Sequence, residues 1–193
     1  MNPSTRRALS WGIPALVALA ITALLMLGAD GPADPTFRIG PGPVEMSAPA
    51  RSRVADFREI SFRVDATGVP FGNGASLTGV RCALLAASAD QHNRGLMGQT
   101  DLSGYDGMLF RFDTDTESTF YMKNTLIPLS IAWFDAEGRF VSTADMEPCG
   151  DAPVCPTYGP EKPYRYALEV AQGGLPALGI GPGARLLIGE EKC

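Results

Sequence analysis

The residues best suited to chemistry lie between positions 94 and 124, in the stretch RGLMGQTDLSGYDGMLFRFDTDTESTFYMKN. Arg94 places a planar guanidinium beside a glycine, and such a group clamps carboxylates and other polar ligands. Tyr121, Lys123 and Asn124 combine an aromatic wall, a cation and an amide, a set that suits a glycan or a cell-wall fragment. We therefore predict a ligand site in this stretch. Its residues are Arg94, Asp106, Tyr121, Lys123 and Asn124.

Each of these residues also has a structural interpretation, which the sequence leaves open. Arg94 could pair with Asp106 or interact with the C-terminal end of a helix. Asp106 precedes a glycine and could serve only to shape the turn that leads into a strand at 108–112. Asn124 tolerates the left-handed conformation and can bond to nearby backbone, so the segment MKNT could be a structural corner.

No complete catalytic set is present in the sequence. A Ser/His or Cys/His pair would need His92, the single histidine, which lies in the polar run ADQHN and is expected to be exposed. A Lys123 nucleophile would need a lowered pKa, which a sequence does not reveal. Four acids could contribute to a carboxylate pair, namely Asp106, Asp135, Glu147 and Glu169. Enzymatic activity therefore stays open, and we predict neither a cofactor nor a metal.

The four cysteines indicate a disulfide rather than a metal site. Cys149 and Cys155 lie in PCGDAPVCP, a C-x5-C spacing, whereas zinc sites use two to four intervening residues and further ligands. In an exported domain these two cysteines are expected to form a local disulfide, worth about 2.4 kcal/mol by loop entropy. A redox-active pair is the alternative, although C-x-x-C is absent. Cys82 and Cys193 remain and could pair with each other.

Short apolar segments between Gly- and Pro-rich turns must position these residues. With 22 Gly and 16 Pro, the composition favours short strands over long helices. We predict a short helix or turn at 89–98 and one helical turn at 174–179. Strands are predicted at 60–64, 77–87, 107–112, 119–123, 131–134, 140–144, 164–171 and 184–188. The expected fold is mainly β, a sandwich or small barrel.

The N-terminal part predicts attachment to a membrane. Residues 8–29 carry no charge, and as a helix they would span roughly 33 Å, about one bilayer thickness. We predict an uncleaved anchor within 1–29, with a cleaved signal peptide as the alternative. Arg6 and Arg7 precede the span, so the C-terminal part should lie outside the cytoplasm. Residues 30–54 are a Pro/Gly-rich linker, and 55–193 form the β domain. The net charge of −5 argues against nucleic acid as a partner.

Three motifs in order, RGLM, GMLF and MKNT, closely resemble the DUF192 family of bacterial and archaeal proteins. The resemblance extends over about 55–193 and implies a compact, jelly-roll-like β-sandwich that is often exported or membrane-anchored, with no established reaction. Two positions depart from the family pattern. Tyr121 replaces the usual Trp, and Ser130 replaces the usual Asp, so an acidic role at 130 does not carry over.

Two classes of function remain. The first is a non-catalytic module of the cell envelope that binds a small polar molecule or a protein partner through Arg94, Tyr121, Lys123 and Asn124. The second is an envelope hydrolase or transferase that uses Lys123 or a carboxylate. The first is preferred because every catalytic set is incomplete.

Overall fold

The computed structural model describes residues 50–54, 56–67, 78–150, 152–189 and 193. The predicted membrane anchor at 1–29 and nearly all of the linker lie outside these residues. Within the described ranges, no helix is both long enough and apolar enough to cross a bilayer.

The described residues form nine strands, one short α-helix and one 3-10 helix. The strands are β1 (Arg58–Asp65), β2 (Arg81–Ala86), β3 (Gly107–Thr116), β4 (Phe120–Tyr121), β5 (Leu129–Phe134), β6 (Phe140–Met146), β7 (Thr157–Tyr158), β8 (Tyr164–Ala171) and β9 (Arg185–Gly189). The α-helix is α1 (Ala89–Arg94), and the 3-10 helix covers Pro176–Leu178. The predicted mainly β class is therefore confirmed.

Seven strands form one curled sheet, a half-barrel in the order β6-β5-β8-β3-β2-β1-β9. Strands β2 and β3 are parallel, and the other neighbouring pairs are antiparallel. Of the two finer predictions, the jelly-roll-like sandwich needs correction, because these seven strands bond in one continuous series instead of two facing layers. The curled half-barrel is nearer to the predicted small barrel. Strands β4 and β7 make a separate two-stranded sheet.

The curl brings the two edges of the large sheet together at one end. The turn between β5 and β6 lies against the start of β9, where the Phe140 amide donates to the Ala184 carbonyl at 3.0 Å. The Leu186 amide donates to the Gly138 carbonyl at 2.7 Å. These bonds hold the half-barrel in its curled form.

The central strands are buried on both faces of the sheet. Every residue of β5 is buried, and so are the first four residues of β3. Alternate residues enter two separate cores. Phe110 and Trp133 belong to one core, whereas Leu109 and Phe134 belong to the other. The sequences of such strands are nearly continuous apolar runs, because neither face of the strand is exposed to solvent.

Helix α1 lies in the connection from β2 to β3, on the side of the core that contains Phe110 and Trp133. Ser88 and Gln91 form a capping box at its N-terminal end, which fixes where the helix begins. The helix ends before Gly95, whose φ of +46° suits glycine. The His92 ring lies 4.4 Å from the Phe112 ring, so the helix rests against β3.

Candidate functional site

A cavity of about 260 Å³ lies between α1, strands β3 and β8, and the short strand β4. Much of its wall is aromatic. The rings are those of Phe110, Phe112, Phe120, Tyr121 and Tyr164. The cavity therefore has a wall that mixes aromatic rings with polar side chains, and it could hold a small molecule.

The aromatic wall is held by edge-to-face contacts. The Phe110 and Phe120 rings lie 5.0 Å apart at 88°, and the Phe112 and Tyr164 rings lie 5.3 Å apart at 81°. Such geometry is the favoured arrangement of aromatic pairs. The Tyr164 hydroxyl donates to the Ser118 carbonyl at 2.9 Å, which ties the segment before β4 to β8. Burial raises the pKa of Tyr164, so this hydroxyl keeps its proton.

His92 contributes a polar edge to the cavity and is half-buried, so the expectation that it is exposed is wrong. Its Nε2 lies 3.2 Å from the Ala86 carbonyl oxygen and 3.1 Å from the Arg111 carbonyl oxygen. Because both neighbours accept hydrogen bonds, Nε2 must carry the proton. The ring is thereby fixed between the helix and the sheet.

Arg94 lines the cavity, but its charge already has a partner. The guanidinium donates to the Asp56 carboxylate at 3.0 Å and lies 5.2 Å from the centre of the Phe57 ring. The considered pairing with Asp106 is therefore wrong. Asp106 instead accepts from the Cys82 amide at 2.9 Å and pairs with Arg81 at 3.3 Å, so it ties the residue before β3 to the start of β2.

The structure separates the remaining predicted site residues. Tyr121 lines the cavity and is 44% exposed. Lys123 and Asn124 are exposed and do not line it. Asn124 adopts a φ of +56°, and its backbone amide donates to the Cys149 carbonyl at 2.9 Å. This geometry agrees with the interpretation of MKNT as a structural corner. Arg94 and Tyr121 thus share one site, whereas Lys123, Asn124 and Asp106 lie elsewhere.

The predicted disulfide between Cys149 and Cys155 is present. It supports the outer wall of the cavity through two neighbouring contacts. The Cys149 amide donates to the Met122 carbonyl at 3.1 Å. Strand β7 follows the disulfide and pairs Tyr158 with Phe120 of β4. The possible second pair is not bonded in the structure, where Cys82 and Cys193 are free thiols whose side chains lie in contact.

Removing this disulfide with the double substitution C149S/C155S should lower the free energy of unfolding by about 2 kcal/mol, because the linked residues close a short loop. Urea denaturation of both proteins measures the difference. Reducing the wild type with dithiothreitol should reproduce it, and dithiothreitol should not affect the double variant. An equal stability of the two oxidised proteins would contradict a structural role for the bond.

Glu169 is a site residue that the sequence named only as one of four acids for a carboxylate pair, and not as part of the ligand site. It lies on β8 directly between Met108 of β3 and Ile131 of β5, and only 5% of its surface is exposed. Its side chain reaches the cavity, and within the described ranges no hydrogen bond or ion pair to its carboxyl is found. Burial raises the pKa of Glu169 to about 8. The available signal was a lone acid in the apolar strand YRYALEVA.

The other acids considered for catalysis lie outside the cavity. Asp135 bonds to Arg139 in the turn after β5, and Glu147 accepts from the Gln172 amide at 2.8 Å. Among the residues that the structure describes, Glu169 is the one acid lining this cavity, and no group of three or more potential metal ligands occurs. The geometry offers a single buried acid in an aromatic cavity.

The fold and cavity define a compact half-barrel β domain with one small aromatic pocket of mixed polarity. A family model, DUF192, described as an uncharacterised ACR, matches residues 74–188. That match spans more than half of the 193 residues, so the chain belongs to the DUF192 family. The resemblance inferred from the three motifs is confirmed.

Two crystal structures share the fold. A protein of unknown function from Novosphingobium aromaticivorans is 27% identical, with a TM-score of 0.57 over 74% of this chain and 94% of that one. A protein from Sinorhizobium meliloti, described as a candidate transcription regulator, is 23% identical, with a TM-score of 0.56 over 71% of this chain and 98% of that one. The second similarity concerns the fold alone. No curated protein matches the chain significantly.

Proposed function

We propose that this domain is a non-catalytic binding module of the cell envelope, which holds one small amphipathic molecule in the aromatic cavity. The observation that carries the proposal is the composition of the cavity wall. Five aromatic rings share the wall with polar side chains, among them those of His92, Arg94 and Glu169. Small-molecule sites typically combine an apolar wall with a few placed polar groups in this way.

The volume limits the size of the ligand. At about 260 Å³ the cavity lies just below the roughly 300–1,000 Å³ of most small-molecule sites. A single ring or a short branched chain suits this space, whereas a polysaccharide does not. Any glycan or cell-wall fragment would therefore enter only with one terminal group.

A binding role agrees better with the site than catalysis does. Lys123 lies outside the cavity, so the alternative of a lysine-dependent hydrolase or transferase loses its support. A carboxylate-dependent enzyme remains the second candidate, because Glu169 keeps its proton near neutral pH, as a general acid must. Glu169 has no second carboxylate beside it in the described cavity.

A location outside the cytoplasm is part of the proposal. The uncharged segment 8–29 would tether the domain to the membrane. The disulfide between Cys149 and Cys155 supports this location, because such bonds persist in oxidising compartments. A small envelope molecule would then be the natural ligand, with a protein partner as the alternative.

A thermal-shift screen of the 193-residue chain in mild detergent tests the binding role. Amines, amino acids, organic acids and amino sugars are the probes. A ligand at 100 times its Kd should raise stability by about 2.7 kcal/mol. Tyr121→Ala removes an exposed ring of the cavity and should weaken this effect, whereas Lys123→Ala, an exposed change outside the cavity, should not.

Two outcomes would contradict the proposal. One is that no small molecule shifts the melting temperature of the wild type, while both variants stay folded. The other is that Lys123→Ala abolishes a shift that Tyr121→Ala preserves, because the ligand would then bind at the exposed corner. Turnover of a bound probe by the wild type would favour the enzyme.

A further inference from the structure

Within the described ranges, the side chain of Glu169 has no partner that would compensate for its burial. Across both neighbouring strands it faces apolar residues, Met108 and Ile131. A buried acid normally forms hydrogen bonds or ion pairs, because an unpartnered polar group is costly to bury. Among the described residues, Glu169 has neither. Glu169 lines the cavity, so a ligand bound there could supply the missing partner.

The cavity around this acid is suited to positive charge. Aromatic rings attract cations through their negative faces, and cages of such rings recognise quaternary ammonium groups. Several rings line the same space as Glu169, among them Phe110, Phe120 and Tyr121. A carboxyl at the inner surface adds a counter-ion for a cation that enters the cavity.

The other charged and titratable groups that share the cavity come from three elements. They are His92 and Arg94 of α1, Tyr121 of β4 and Tyr164 of β8. Strands β3 and β5 flank Glu169 with apolar side chains. Arg94 is offset by Asp56 at 3.0 Å, and the Nε2 of His92 is occupied by two carbonyls. Among the described residues, no hydrogen bond or ion pair joins either side chain to Glu169, and the acid stays available to a ligand.

We propose that the cavity binds a small organic cation, a primary amine or a quaternary ammonium, with Glu169 as its counter-ion and the aromatic rings as its walls. This inference rests on the proposed binding function and names the chemical class of the ligand. An anionic ligand is disfavoured, because it would face an acid that has no cation bonded to it.

Binding should be coupled to a proton. Burial holds the pKa of Glu169 at about 8, so the empty site is largely protonated at pH 7. A cation pairs with the carboxylate form, so one proton leaves Glu169 for solvent as the cation binds. The apparent Kd equals the intrinsic Kd divided by the ionised fraction of Glu169. Affinity should therefore rise with pH until Glu169 is ionised.

Three probes of one shape separate charge from size: choline, its neutral isostere 3,3-dimethylbutan-1-ol, and the anion 3,3-dimethylbutanoate. Isothermal titration of the 193-residue chain at pH 8.5 should give choline an affinity at least about tenfold higher than the alcohol, with no measurable binding of the anion. For choline, whose charge does not titrate, the Kd should weaken about tenfold or more between pH 8.5 and 6.5. At pH 7, buffers of different ionisation enthalpy should reveal nearly one proton released per choline.

Two substitutions assign these effects to Glu169. Glu169→Gln keeps the size of the side chain but removes its charge, and it should abolish both the proton release and the affinity gain above pH 7. Glu169→Asp keeps the carboxyl and should retain the proton release. Lys123→Ala should behave as the wild type, because Lys123 lies outside the cavity. Circular dichroism checks that each variant is folded.

The outcomes distinguish this inference from the proposed function. If the alcohol binds as well as choline, or if Glu169→Gln keeps the choline affinity and its pH dependence, the cation inference is overturned while cavity binding stands. If neutral or anionic compounds of the thermal-shift screen bind but neither choline nor any amine does, the inference alone fails. If no probe in either experiment binds, both fail.

Discussion

Replacing Glu169 with glutamine should stabilise the ligand-free protein strongly at pH 8.5 and hardly at all at pH 4. Burial raises the pKa of Glu169 from its ordinary value of 4.5 to about 8 in the folded state. Each pKa unit corresponds to about 1.4 kcal/mol. At alkaline pH, burial of the ionised carboxylate therefore lowers the free energy of unfolding by on the order of 5 kcal/mol. A neutral amide of the same size avoids this cost.

The direction of the pH dependence follows from proton binding. Between pH 4.5 and about 8 the folded protein keeps the Glu169 proton that the unfolded chain has lost. The contribution of Glu169 to stability is therefore fully present below pH 4.5 and is lost as the pH rises through about 8. Glu169→Gln should remove this decline, so the stability difference between variant and wild type should grow steadily over that window.

Urea unfolding followed by intrinsic fluorescence at several pH values measures this difference. Glu117→Gln is the matched control, because Glu117 is exposed. This control should leave the pH profile of the wild type almost unchanged. A stability difference between Glu169→Gln and wild type that is constant from pH 4 to 8.5 would refute a buried, proton-bearing Glu169.

Gly107→Ala should be the most damaging single methyl addition near the site. Gly107 begins β3, and a Cβ there would lie 2.1 Å from the backbone carbonyl oxygen of Glu169. A backbone atom in a central strand cannot rotate away as a side chain would, so β3 and β8 must separate. We expect a loss of about 3 kcal/mol or more, at or beyond the upper end of usual overpacking costs.

Gly79→Ala is the matched control for this substitution. Among the described residues, no atom lies within 4 Å of a Cβ built at Gly79, so the control should be neutral or slightly stabilising, by about 0.5 kcal/mol. Chemical denaturation of both variants at pH 6 provides the comparison. Equal stability of the two variants would mean that β3 and β8 are not packed as closely as the structure has them.

Local sequence patterns were sufficient to place most strands. Strand β8 was predicted at 164–171 and is observed at Tyr164–Ala171, because an apolar run between turns defines a buried strand. Strand β7 was missed, since Thr157 and Tyr158 form a strand only by pairing with β4. The sandwich prediction needed correction for a similar reason, because the order of the strands depends on contacts between distant segments.

The site was harder to predict than the strands. Arg94 and Tyr121 were found because they lie in the motif-rich stretch that also supplies much of the cavity. Lys123 lies only two residues after Tyr121, but the next residue, Asn124, has a left-handed backbone conformation and turns the chain. The side chains of Lys123 and Asn124 therefore do not line the cavity. Glu169 enters the cavity only because β8 pairs with β3, and no local pattern reveals that pairing.

The pairing of β9 with β1 has a consequence for the order of folding. It joins Arg185–Gly189 to Ser61–Asp65, the last and first strands that the structure describes. Closing so long a stretch of chain is entropically costly and slow. The sheet cannot be completed until its final strand has been synthesised. A chain built in this way would stay incompletely folded for as long as its C-terminal segment is still being made.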